Sequence, residues 1–117
     1  MEADPLVLAR CIVDAVADKQ GEDVLLLDIQ EVSILADYFV IASAASDRQA
    51  EAVIDGVGRE TKRALGRGPR RVEGEPGDGW VLMDYGSVVV HLFTPEVRKY
   101  YGLEELWSGA RVVVRML

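Results

Sequence analysis

The residue types that could perform chemistry are few and far apart in this sequence. The chain holds one histidine, His91, and one cysteine, Cys11. Ser87 precedes His91 by four positions in the same apolar segment, which is about 13 Å along a strand and too far for a hydrogen-bonded nucleophile and base. One cysteine and one histidine also cannot supply the ligands of a Cys/His zinc site. We therefore expect His91 to be hydrogen-bonded at a sheet end or an interface, and Cys11 to be a small buried thiol.

Carboxylate pairs give a stricter test for catalysis. The predicted order of strands and helices resembles the minimal nucleotidyltransferase fold, in which a small motif follows one strand and two acids on the next strand hold metal ions. Ala45 and Ser46 could stand at the small motif, but Asp84 is alone on its predicted strand, and no glycine-rich phosphate loop occurs. The sequence therefore disfavours an enzyme, with a degenerate nucleotidyltransferase as the alternative.

Helix caps and apolar periodicity indicate the elements that must position these residues. Asp4 followed by Pro5 predicts a helix start. Ser46 and Gln49 predict a capping box, in which the Ser46 hydroxyl accepts from the Gln49 N–H and the Gln49 side chain returns to Ser46. The predicted strands cover residues 24–29, 37–44, 70–74, 79–85 and 87–93, and the other predicted helices begin at Asp47, Pro95 and Leu103.

The resulting order, α-β-β-α-β-β-β-α-α, predicts an α/β fold with a single-domain mixed sheet and helices packed on it. This domain covers residues 1–110, and residues 111–117 form a short C-terminal tail that is extended or partly ordered. The segment 87–93 is apolar at nearly every position. We therefore expect it to be a central strand with both faces covered.

Charge narrows the class of partner. The net charge is −7; residues 1–31 carry eight acids and two bases, a net of −6, and the remainder carries −1. An acidic chain predicts little direct nucleic-acid binding and favours a basic protein partner. Arg67, Arg70 and Arg71 form a small basic spot, so an RNA binder is the weakest alternative, and a solvated turn explains the spot equally well.

No apolar run approaches the roughly 20 residues that span a bilayer, and the acidic start predicts a cytoplasmic protein without a membrane partner.

Aromatic side chains are the most informative feature, because aromatics and arginine dominate interface hot spots. By alternation, Trp80, Leu82 and Asp84 share one face of their strand. We expect Trp80, beside a glycine-rich turn, to be at least partly exposed. A second cluster lies near the C-terminus, where we expect Trp107 to be a core residue. This cluster comprises Arg98, Lys99, Tyr100, Tyr101 and Trp107.

Six segments, taken in order, resemble the ribosomal silencing factor family, also called RsfS or Iojap. The resemblance covers about residues 5–108. It implies a nucleotidyltransferase-like core that lacks the catalytic acids. It also implies binding to the large ribosomal subunit through the basic ribosomal protein uL14, a steric block of small-subunit joining, lowered translation, frequent homodimers and no cofactor. The segments are DYFVIAS (37–43), SDRQ (46–49), EG (73–74), GWVLMDYG (79–86), VVHLF (89–93) and RKYYGLEELW (98–107).

The resemblance also implies which residues bind the partner. Two of them have alternative roles: Asp84 could cap the turn at Gly86, and Arg98 could pair with Glu104. A generic homodimerisation module, with the aromatic cluster as its self-interface, is the remaining alternative. The partner-binding candidates are Trp80, Asp84, Tyr85, His91, Arg98, Tyr101, Glu104 and Trp107.

Overall fold

A computed structural model describes residues 4–102 and 109–116. It contains a six-stranded sheet with helices packed on it, which confirms the predicted mixed α/β fold. The helices are α1 (Pro5–Asp18), α2 (Asp47–Leu65) and α3 (Pro95–Tyr101). The strands are β1 (Glu22–Asp28), β2 (Tyr38–Ser43), β3 (Arg71–Glu73), β4 (Trp80–Asp84), β5 (Val88–Phe93) and β6 (Arg111–Met116).

The sheet has the strand order β3-β4-β5-β2-β1-β6. Strands β2 and β5 pair in parallel, and the other neighbouring strands pair antiparallel. The apolar strand β5 lies in the middle, as predicted from its composition. Since a parallel pair needs a crossover connection, the chain passes through α2 and the β3–β4 hairpin between β2 and β5.

Helices α1 and α2 cover one face of the sheet. Their apolar stripes, which include Ile12 and Val57, pack against Leu26, Val40 and Val90 in a continuous buried cluster. Burying each aliphatic side chain of this kind contributes roughly 1.5–3 kcal/mol before conformational entropy is subtracted. The opposite face has a smaller core and is covered less completely.

The helix caps follow the sequence prediction with one correction. Asp4 accepts from the Leu6 N–H, and the Ser46 hydroxyl accepts from the Gln49 N–H at 3.1 Å. The predicted return of the Gln49 side chain to Ser46 is wrong. Its Oε1 accepts from the Ala45 N–H at 2.7 Å and its Nε2 donates to the Gln20 carbonyl at 2.6 Å. The amide therefore joins the start of α2 to the turn that follows α1.

Residues 111–116, which the sequence assigns to an extended tail, form the edge strand β6. This strand pairs antiparallel with β1, and Arg111 Nη2 lies 3.3 Å from Asp28 Oδ2 at one end of the pair. Within the described residues, no helix is long and apolar enough to cross a membrane.

Two glycines should respond to alanine in opposite directions. Gly74 has a φ of +85°, and a Cβ there would collide with the carbonyl oxygen of Trp80. Gly58 lies within α2, where a Cβ would meet no other atom within 4 Å. In urea denaturation we expect Gly74→Ala to lower the free energy of unfolding by about 2 kcal/mol or more. Gly58→Ala should raise it by about 1 kcal/mol. Equal effects of the two substitutions would contradict the left-handed backbone conformation at Gly74.

Candidate functional site

The face of the sheet opposite α1 and α2 is incompletely covered along β4, β5 and β2. An open groove of about 650 Å³ runs there, and a smaller hollow lined by Trp80 and Leu82 adjoins it. Apolar and aromatic side chains on β2, β4 and β5 line the groove, and the charged side chains that also line it are those of Asp37, Asp84, Arg70 and Arg71. We call the surface the open face and define it by Phe39, Trp80, Leu82, Asp84, Val89 and His91.

Strand alternation explains which residues of β4 lie on the open face. Trp80, Leu82 and Asp84 are half-buried, whereas Val81 and Met83 between them are buried. The shared face predicted for Trp80, Leu82 and Asp84 is therefore confirmed, and so is the partial exposure of Trp80.

Trp80 makes aromatic ring contacts with a core residue on one side and with a surface residue on the other. The Trp80 ring centroid lies 5.0 Å from that of buried Phe93 and 4.9 Å from that of Tyr101, distances typical of favourable aromatic pairs. Tyr101 is 47% exposed, and the mostly exposed Tyr100 lies edge-on to it at 5.2 Å. The structure thus brings the predicted residues Trp80 and Tyr101 together, although they lie far apart in sequence.

His91 lies in the middle of β5, not at the end of the sheet, and is only 5% exposed. The Trp80 Nε1–H donates to His91 Nδ1 at 3.3 Å, so the expected hydrogen bond is present and Nε2 carries the proton of the neutral ring. Nε2 is buried without a hydrogen-bond partner in the described part of the chain. Burial lowers the pKa of His91 from 6.5 to about 4, because desolvation penalises the charged imidazolium.

Asp84 and Tyr85 are neighbours on opposite faces of the sheet. Asp84 Oδ1 accepts from the Gly86 N–H at 2.7 Å, which confirms the turn cap proposed from sequence, and Oδ2 lies 3.5 Å from Arg71 Nε. Tyr85 is completely buried, and its hydroxyl lies 2.9 Å from Thr61 Oγ1 on α2. The structure therefore places the Tyr85 side chain among the helices, away from the open face.

Arg98 joins α3 to the end of two strands. Its Nη1 donates to the Asp23 carbonyl at 2.7 Å and to the hydroxyl of buried Ser43 at 2.9 Å. These bonds fix the orientation of the helix that carries Tyr101. The two remaining predicted site residues, Glu104 and Trp107, lie outside the described residues, and so does any pair between Arg98 and Glu104.

Several residues at the groove were not among the sequence candidates. Ile34 and Leu35 line it from the β1–β2 connection and are almost fully exposed. Two adjacent aliphatic residues in a loop between strands are the sequence signal that could have found them. Arg70 and Arg71 line the groove at its other end.

Cys11 lies on α1, away from the open face, and is partly exposed instead of buried as expected. Desolvation and the nearby carboxylates of Glu60 and Asp14 raise the pKa of its thiol, and Arg63 lowers it by less. Because the thiolate is the nucleophilic form, the raised pKa lowers the fraction of Cys11 that is nucleophilic at neutral pH.

The geometry defines an α/β domain in which two helices seal one sheet face and an aromatic, groove-bearing face stays open. Residues 2–116 match the family model described as ribosomal silencing factor during starvation. The chain belongs to this family of ribosomal silencing factors.

Curated relatives agree with this assignment. The chain is 38% identical over 105 residues to ribosomal silencing factor RsfS of Zymomonas mobilis, which covers 90% of this chain and 78% of the relative. It is 41% identical over 93 residues to RsfS of Bacillus subtilis, with coverage of 80% and 78%. A mouse relative, named mitochondrial assembly of ribosomal large subunit protein 1, is 31% identical over 83% of this chain and 43% of its own length.

Solved structures share the fold. A crystal structure of a Chromobacterium violaceum protein superposes with a TM-score of 0.85 at 32% identity, covering 96% of this chain and 94% of the other. A Bacillus halodurans protein superposes with a TM-score of 0.76 at 36% identity, with coverage of 87% and 94%. The arrangement of sheet and helices is thus that of known proteins.

Tyr85 should stabilise the fold without touching a partner. The Thr61 hydroxyl donates its hydrogen to the Gly58 carbonyl at 3.2 Å. In the bond with Tyr85 it therefore accepts, and the Tyr85 hydroxyl is the donor. Tyr85→Phe removes this buried bond and should lower the free energy of unfolding by about 1 kcal/mol. Tyr100→Phe, at an exposed tyrosine, is the matched control and should leave it unchanged. Urea denaturation measures both, and equal stability of the two variants would contradict the assignment.

His91 should make the fold sensitive to mild acid. The unfolded chain takes up a proton near pH 6.5 and the folded chain only near pH 4, so stability falls as the pH drops between these values. From pH 7.5 to 5.0 the loss should be about 2 kcal/mol. His91→Gln keeps an acceptor for Trp80 but does not titrate, so its urea midpoint should change less over the same interval. An identical pH dependence in the two proteins would exclude this role for His91.

Proposed function

We propose that the open face binds the basic ribosomal protein uL14 on the large subunit and that the bound protein prevents the small subunit from joining. Translation is lowered by occupation of a surface, without a reaction or a cofactor. The observation that carries the proposal is the pair of aromatic rings of Trp80 and Tyr101, 4.9 Å apart, beside the groove on the face that the helices leave open.

The polar groups of the open face favour a protein partner over a small substrate. The Trp80 N–H is bonded to His91, and the Asp84 carboxylate is bonded to the Gly86 turn and lies near Arg71. What the surface offers is therefore mainly shape and apolar area. Half-buried aromatic residues at the centre of such a surface are typical hot spots of protein interfaces.

Charge supports a basic partner. Residues 1–31 carry a net charge of −6, so the part of the chain that contains α1 and β1 is strongly acidic. Opposite charges raise the association rate, and salt screens the effect over a Debye length of about 8 Å at physiological ionic strength. Binding to uL14 should consequently weaken as the salt concentration rises.

Size supports a steric mechanism. The described residues extend over 37 × 33 × 24 Å. A body of this thickness placed on a surface that must meet another subunit keeps the two apart without any change of shape. In this proposal the protein acts in the cytoplasm, and the free protein is a homodimer, as the family resemblance implies.

Leu82 provides the sharpest test, because it lines both hollows of the open face and is half-exposed. Leu82→Glu should weaken binding to purified large subunits at least about 30-fold, as expected for a residue at the centre of an interface. Val7→Glu introduces the same charge at an exposed position of α1, on the other side of the sheet, and should bind like the wild type. Co-sedimentation with isolated large and small subunits measures this directly.

The wild type should pellet with the large subunit only, and saturating protein should reduce the fraction of joined ribosomes in a sucrose gradient. Unchanged joining at saturation would exclude the steric mechanism. Equal losses in Leu82→Glu and Val7→Glu would place the binding surface elsewhere. Sedimentation equilibrium of the free protein measures its molar mass in solution and so tests whether it is a homodimer.

A further inference from the structure

The densest run of one charge sign lies where α2 passes into β3. Residues 61–72 contain five bases and no acid, in a chain whose net charge is −7. We call these five side chains the basic segment. Its members are Lys62, Arg63, Arg67, Arg70 and Arg71.

Part of this charge has no counter-ion. Arg63 pairs with Glu60, and Arg71 lies within ion-pair distance of Asp84 and Glu73. Within residues 4–102 and 109–116, Lys62, Arg67 and Arg70 have no ion pair. The dipole of α2 favours bases in the last helical turn. It does not account for Arg67 and Arg70, because both follow the end of the helix.

The two arginines that follow the helix lie close to the backbone at the end of β4. Arg67 Nη2 donates to the Tyr85 carbonyl at 2.9 Å, and this bond orders the Arg67 guanidinium. The exposed Arg70 guanidinium lies against Gly86, with its Cζ 2.7 Å from the position that a Cβ at Gly86 would occupy. Within the described residues most of the five N–H donors of each guanidinium remain unused.

A basic protein docked on the open face does not explain these cations. Arg70, which has no ion pair within the described residues, lines the same groove as Leu82 and Asp84, so it would meet a basic partner with like charge, which costs binding energy. An anionic neighbour at this edge would remove the conflict. Guanidinium groups bind phosphate oxygens through two parallel hydrogen bonds, which makes a phosphate backbone the fitting ligand.

We propose that the basic segment binds RNA phosphates beside the basic protein on which the open face docks, so that the large subunit is recognised through protein and RNA together. The contact is local, which agrees with the little nucleic-acid binding expected from the charge of the whole chain. The inference rests on the proposed function for its location, and the following experiment separates the two.

The test uses two double variants with the same change in net charge. Lys62→Gln with Arg70→Gln removes two unpaired bases of the basic segment, and Arg48→Gln with Arg115→Gln removes two exposed bases elsewhere on the domain. Affinity for intact large subunits is measured over a series of KCl concentrations. The same proteins are titrated with isolated uL14 and with purified large-subunit ribosomal RNA.

For intact subunits we expect the Lys62/Arg70 variant to bind about tenfold more weakly at low salt. The slope of log K against log salt should shrink by about 1.4–1.8, because each lost phosphate contact removes about 0.7–0.9. Its affinity for isolated uL14 should equal that of the wild type, and only this variant should lose binding to the free RNA. The Arg48/Arg115 variant should match the wild type in every assay.

Equal slopes for the two variants on intact subunits would overturn the RNA contact while leaving the docking proposal in place. A loss on isolated uL14 as large as that on subunits would also overturn it, by assigning the basic segment to the protein partner. If the wild type binds neither subunits nor uL14, the docking proposal fails. The free-RNA titration then tests by itself whether the basic segment binds RNA. Equal RNA affinities of the two variants in that titration would overturn the RNA contact.

Discussion

The parallel pairing of β2 with β5 is the constraint on which the rest of the structure depends. Both strands are almost wholly apolar, so each must be covered on its two faces, yet a parallel pair forces the chain to cross the sheet between them. That crossing places α2, together with α1, on one face. Among the described residues the other face receives a short helix and loops, and this unequal coverage leaves Trp80, Leu82 and Asp84 half-exposed.

Hydrogen bonds within the domain fix three polar side chains at the open face and beside it. The Trp80 N–H is bonded to His91, Asp84 closes the hairpin at Gly86, and Arg98 fixes α3 to the ends of β1 and β2. A partner therefore meets side chains already in place, and less entropy is lost on binding than with mobile side chains. Within the described residues His91 Nε2 is buried and has no hydrogen-bond partner, so a titrating group lies beneath the surface.

Local signals were sufficient to predict most of the fold. Caps and apolar alternation identified α1, α2 and α3, the strands β1 to β5, the central position of β5 and the Asp84 turn, because each depends on neighbours in sequence. The edge strand β6 was not identified, because its pairing is with β1 at the other end of the chain. Alternation also predicts the orientation of Tyr85. If Trp80, Leu82 and Asp84 lie on one face of the strand, the side chain of Tyr85 lies on the opposite face. The resemblance to a family outweighed that signal in the choice of site residues.

Contacts between distant segments could not be predicted in this way. The bond of Gln49 to Gln20, the reach of Arg98 to Asp23 and Ser43, and the arginines beside the groove all depend on how separate elements pack. The sequence shows Arg67, Arg70 and Arg71 as a small basic spot, but only the fold shows that Arg70 and Arg71 line the groove. The effect of charged residues on binding depends on where the fold places them on the surface.

The pairing of β6 with β1 has a consequence for biosynthesis. Strand β1 ends at Asp28 and its outer partner begins at Arg111, so the apolar run of β1 has an unprotected edge while the intervening chain is translated. At about 5–20 residues per second this interval lasts several seconds. An unpaired apolar strand edge is a template for aggregation, so the nascent chain passes through its most vulnerable state before residues 111–116 emerge.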